Sequence, residues 1–130
     1  THMSAMSDFL ELEVLDHVLG TGAFTMPSTV QIGLSTGSFN DDNSGTELSG
    51  NGYARVAITF AAASSGSAST NATVTFPTAT GSWGSVSHWG IFNATTGGDL
   101  LIHGSFATPK TITSGDVLRI NSGDLTVTAA

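Results

Sequence analysis

Few residues in this chain carry chemistry that could cut, transfer or chelate, and their spacing tests each in turn. The acidic loop Asn40-Asp41-Asp42-Asn43-Ser44-Gly45-Thr46-Glu47 holds oxygen ligands of the kind Ca²⁺ prefers, with Asp41, Asp42 and Glu47 as the candidate carboxylates. It lacks the EF-hand order of alternating acids, central glycine and closing glutamate. The competing reading is a solvated turn, for which Asp, Asn, Ser and Gly are the usual residues. His88 and His103 flank a polar turn, and two imidazoles alone make a poor zinc site or a minimal pH switch. Serines are too many to single one out, no Gly-x-Ser-x-Gly elbow occurs, and there is no cysteine. Asp99, Asp116 and Asp124 all stand at turn positions, so a catalytic carboxylate pair would require two loops to meet in space. The glycines follow no strand-to-helix phosphate-loop pattern. We read no catalytic residue, no cofactor and no resident metal.

The aromatic residues offer binding rather than reaction. Tyr53, Trp83 and Trp89 could form a sugar-stacking platform. Trp89 alternates with Ile91 and reads as core, whereas Trp83, between Ser82 and Gly84, is expected to stand exposed. Tyr53 and Trp83 are therefore the candidate ligand surface, against the commoner fate of tryptophan as core packing. Thr-x-Thr pairs recur at Thr73, Thr78, Thr111 and Thr126, but their irregular spacing builds no flat threonine array.

These residues need elements to position them. Asp8-Phe9-Leu10-Glu11 has the form of a capping box with Asp8 as N-cap, and Leu12, Val14, Leu15, Val18 and Leu19 follow at spacings of three and four before Gly20. An amphipathic helix over 8–19 is expected, lying on a sheet or on a partner, with Leu12, Leu15 and Leu19 as a candidate oligomer seam. Val30, Ile32 and Leu34 alternate as a half-buried strand, and Gly37 to Gly52 reads as a long loop. Tyr53 to Phe60 alternates again, Ala61 to Asn71 is a low-complexity connection or the start of the next strand, and Ala72, Val74 and Phe76 share a face.

The most regular unit is WGSVSHWGIFNATTGGDLLIHGSF, residues 83–106, a β-hairpin about Thr95-Thr96-Gly97-Gly98. A turn centred between Thr96 and Gly97 pairs Gly90 with His103 and puts both histidines on one face. Ile112, Val117 to Ile120 and Leu125 to Val127 supply the last short strands, punctuated by two Ser-Gly-Asp turns. Seven or eight short strands with close turns predict a mainly β fold. The expected form is an antiparallel β-sandwich of jelly-roll or immunoglobulin-like size with one N-terminal helix.

Composition narrows the partners. The chain has 130 residues, 10% charged against about 25% in ordinary soluble domains, and a net charge of −7. Arg55, Lys110 and Arg119 are the only basic residues, too few to neutralise a run of phosphates, so neither nucleic acid nor an anionic membrane is an expected partner. No apolar run approaches the length that crosses a bilayer, and a basic start with a small-residue cleavage site is lacking. Residues 1–5 read as a tag remnant and 6–130 as a single domain. Without cysteine the core must hold the fold unaided, and the redox compartment is left open.

Four segments together carry a resemblance: Gly52-Tyr53-Ala54-Arg55, Ser82-Trp83-Gly84-Ser85-Val86-Ser87-His88-Trp89-Gly90-Ile91-Phe92, Thr108-Pro109-Lys110 and Gly115-Asp116. The pattern resembles small tailed-bacteriophage virion proteins described as tail fibre proteins, from the end of the helix to the C-terminus. The resemblance implies a non-enzymatic virion component that acts in assembly and surface attachment. The implied partners are copies of itself (a trimer favoured), other virion proteins and a host surface glycan. It carries over no catalytic residue. A capsid decoration protein and a carbohydrate-binding sandwich are the alternatives at this stage.

Overall fold

The computed structural model describes residues 3–25 and 27–128. In chain order the described elements are β1 (Met3–Met6), α1 (Asp8–Leu19), β2 (Val30–Ser35), β3 (Val56–Ile58) and β4 (Ser67–Ser69). Then come β5 (Val74–Thr75), β6 (Gly84–Phe92), β7 (Leu100–Ile112), β8 (Arg119–Ile120) and β9 (Thr126–Thr128). A five-stranded antiparallel sheet, ordered β1-β7-β6-β2-β3, forms one layer. Two short antiparallel ribbons, β4-β9 and β5-β8, lie over its inner face. The mainly β sandwich with one helix near the N-terminus is therefore the observed fold.

The core lies between the sheet and the ribbons. Ile32, Leu34, Val86, Trp89 and Ile91 come from the sheet, and Val74, Ile120 and Leu125 come from the ribbons and their turns. Period-2 spacing, reset in β6 by the irregularity between Val86 and His88, explains why one face of β2 and β6 is apolar. The outer face of β2 is also covered, because the loop after it folds back. The Ser35 hydroxyl donates to Thr46 O at 2.6 Å, and Leu48 N–H donates to Leu34 O at 2.9 Å. Phe39, inside that polar loop, packs with Phe92 and Leu100 as a second small cluster. The half-buried expectation for β2 is corrected accordingly. Gly90 lies beneath this cluster, where a Cβ would meet Leu100 Cδ1 at 2.9 Å and the Phe39 ring at 3.1 Å, so only a bare backbone fits.

The hairpin takes the expected register, with Gly90 opposite His103 and Gly97 and Gly98 at φ 58° and 70° in the turn. Two local expectations change. Ile112 is the end of the thirteen-residue β7 rather than a separate piece. Only Val56–Ile58 of the expected Tyr53–Phe60 strand pairs regularly, because Tyr53 and Arg55 are held by side-chain bonds described below. Thr1 and His2 lie outside the described residues, but Met3–Met6 forms the edge strand β1 against β7, from Met3 opposite Ser105 to Met6 opposite Ile102. Met3, Ser4 and Ala5 thus pair with the sheet, whatever their origin.

The helix has the expected bounds and a different cap. Ser7, not Asp8, is the N-cap: its Oγ accepts from Leu10 N–H at 3.2 Å and donates to Leu100 O, while Ser7 N–H donates to Leu101 O at 2.8 Å. A hydroxyl can accept and donate at once, which an ionised carboxylate cannot, so the buried junction between β1 and α1 selects serine. Asp8 and Glu11 remain in the first turn, where the helix dipole favours them.

Candidate functional site

The Gly-Tyr-Ala-Arg segment builds a clamp. Arg55 Nε and Nη2 donate to the two oxygens of Glu47 at 2.9 and 2.7 Å, and Nη1 donates to Ala94 O and Gly97 O at 2.9 and 2.8 Å. Its guanidinium lies 3.6 Å from the centroid of the Phe92 ring. One side chain, 7% exposed, thereby fastens the long loop to the tip of the hairpin. A planar fork with five donors suits this task, and lysine would not. The Tyr53 hydroxyl donates to Glu47 and accepts from Leu34 N–H at 2.9 Å. Burial first, then the bond to Glu47, pushes the phenol well above its usual range, so it stays a donor. Gly52 has φ 81°, and a Cβ there would approach Thr78 O to 2.8 Å, which explains the glycine that starts the segment.

This geometry relocates the aromatic candidates. Trp83 is 5% exposed, donates from Nε1 to Asn51 O at 2.8 Å, and meets the Tyr53 ring edge-on at 5.6 Å between centroids. Tyr53 also stacks on Phe76 at 6.5 Å. The expectation that Trp83 stands exposed is overturned, because its indole N–H finds a backbone carbonyl only when the ring lies in the core. Tyr53 and Trp83 do come together, but inside the protein. Trp89 is wholly buried, as expected, and its Nε1 has no hydrogen-bond partner among the described residues.

The titratable candidates divide. His103 Nε2 is 2.7 Å from Asp41 Oδ1, a partner 62 positions away that inspection of the hairpin alone could not supply. His88, on the same face, shares a 2.7 Å hydrogen bond with the Ser87 hydroxyl. Burial, and then the neighbouring His103, lowers the His88 pKa. Asp41 and Asp42 border a hollow of about 390 Å³ with Asp8 and Asp99, while Glu47 is committed to Arg55. The candidate carboxylates Asp41, Asp42 and Glu47 therefore do not meet, and among the described residues no three His, Asp or Glu side chains converge on a metal-sized site. The Ser44 hydroxyl and N–H hold the Asp42 carboxyl below its usual range, as an Asx turn does.

The helix presents the largest uncovered apolar surface. Leu10 is buried and Val14 half-buried, whereas Leu12, Leu15 and Leu19 are 64, 55 and 71% exposed, flanked by Val18 and Phe9. At about 100° per residue these five span roughly half the helix circumference, away from Leu10. No helix among the described residues is long and apolar enough to cross a membrane.

A family model, the podophage GP4 fiber I protein gp80, matches residues 5–128. The chain belongs to this phage fibre family. No curated protein matches it. As a member of a fibre family it is a structural component of the virion, as the resemblance implied. The match begins within β1 and takes in α1 as well as the sandwich, so the helix is part of the family pattern.

Proposed function

We propose that the chain is a non-catalytic fibre subunit that joins copies of itself through α1 and holds its β-sandwich outward for attachment to a host surface. The observation that carries this reading is the exposed stripe of Leu12, Leu15 and Leu19. Their three-then-four spacing is that of a coiled-coil seam, so the same stripe on a second copy is a complementary partner. The apolar arc is wider than a two-helix seam uses, which favours three helices about an axis. The clamp at Arg55 supports the mechanical half of the reading, because it braces the hairpin tip against a loop from the other edge of the sheet.

The test is Leu12→Gln/Leu15→Gln/Leu19→Gln. Glutamine keeps helix propensity and leaves β1 in place, which deletion of the N-terminal segment would not. Light scattering should give a trimeric mass for the parent protein and a monomeric mass for the variant. Equal stoichiometry in the two proteins would remove the seam.

A further inference from the structure

We propose that the cleft between β7 and the β8–β9 turn is a binding site for an acidic saccharide, held by Lys110 and Arg119. The cleft, of about 310 Å³, is lined by Thr108, Lys110, Arg119, Asn121 and Asp124 above a floor that includes Ile120 and Leu125. This chain has three cations and ten acids. Arg55 is spent within the fold, and both remaining cations line this one depression, where neither makes an ion pair among the described residues. On a protein of net charge −7, two cations bordering one recess favour an anionic ligand there.

The backbone is shaped to open it. Val86 pairs with Lys110 and His88 with Ser105, so the single residue Ser87 on β6 faces four residues, Phe106 to Pro109, on β7. A bulge this large interrupts the β6–β7 ladder along the cleft wall, and Pro109 fits there because that ladder asks no bond of it. Thr108, Asn121 and Asp124 add hydroxyl, amide and carboxylate groups beside the cations. Asp124 would repel a bare anion, whereas an acidic sugar offers an anion for Lys110 and Arg119 and hydroxyls for the rest.

Position supports the same assignment, which rests on the fibre reading above. Ser7 pins the start of α1 to Leu100 and Leu101, and Lys110 lies further along β7 beyond the bulge; their β6 partners Phe92 and Val86 are six residues apart, roughly 20 Å at strand rise. The helix anchor and the cleft thus occupy opposite ends of one strand.

Calorimetric titration of the full chain with tetragalacturonate, a heparin tetrasaccharide, maltotetraose and inorganic phosphate tests the assignment. At least one acidic tetrasaccharide should bind more tightly than maltotetraose and phosphate, and binding should weaken in high salt. Lys110→Gln/Arg119→Gln should cost at least about tenfold in affinity while the melting temperature holds, since both side chains are exposed. Which tetrasaccharide binds distinguishes carboxylate from sulfate. Unchanged affinity in the variant, equal binding of maltotetraose, binding of phosphate alone, or no binding would each overturn the site. Light scattering on the same samples separates the two readings: an oligomer that ignores both acidic sugars sinks the cleft alone, and a monomer that binds through Lys110 and Arg119 sinks the seam alone.

Discussion

The sandwich and the helix handle apolar surface in opposite ways. In the sandwich, Ile32, Leu34, Trp89, Leu118 and Leu125 are essentially sealed from water, and even the polar loop contributes Phe39 to a buried cluster. In α1, only Leu10 is buried, and five large apolar side chains face solvent. A helix that is apolar on both sides is stable in water only when something covers the second side. The contrast teaches that the sandwich buries its apolar residues within one copy, whereas α1 leaves most of its apolar side chains in water.

Substitutions can break or sharpen that contrast. The largest effect is expected at Trp89, the wholly buried ring between sheet and ribbons. Trp89→Ala should cost about 3–5 kcal/mol in chemical denaturation, and a loss below about 1 kcal/mol would deny the sandwich its closed core. Next comes Arg55→Ala, which strips Glu47, the Tyr53 hydroxyl's acceptor, of its charge partner and frees the 94–97 turn. Because Glu47 keeps some contact with water, about 2 kcal/mol is expected rather than the full cost of a sealed pair. Arg55→Lys should recover less than half of that loss, since an ammonium cannot reach both Glu47 and two carbonyls.

A smaller effect follows from acid. Folding favours neutral His88, so its contribution is complete above the ordinary value of 6.5 and declines as pH falls through and below it. Asp42 and Asp116, held low by hydrogen bonds from Ser44 and Thr113, withdraw their contribution only below 3.8. Thermal melts of the parent should therefore weaken first just below 6.5, and His88→Gln should flatten that first step. A parent whose melting temperature is level across that window would contradict the half-buried placement of His88 beside His103. At the bottom of the scale, the triple leucine variant of α1 should shift unfolding of the single copy by less than about 0.5 kcal/mol, while abolishing assembly.

Much of the fold was legible because it rests on short-range patterns. The bounds of α1 follow from leucine spacing and Gly20, and the register of the hairpin follows from its two-glycine turn. The cap was misplaced by one residue because the choice of Ser7 depends on Leu100, 93 positions away. Trp83 was misplaced because small neighbours, Ser82 and Gly84, suggest exposure, while the carbonyl of Asn51 that receives its N–H is remote in sequence. Likewise, nothing near His103 announces Asp41.

Alternation, turn chemistry and helix-end signals, read by themselves, determined a mainly β sandwich with one helix near the N-terminus, because each acts within a few residues of chain. Which partners Arg55, Ser7 and His103 take, that Lys110 and Arg119 share a cleft, and that the leucines of α1 face outward were decided only by the tertiary structure. Those outcomes depend on which strands pair and where loops close. Loop closure brings together side chains tens of residues apart that no local pattern connects.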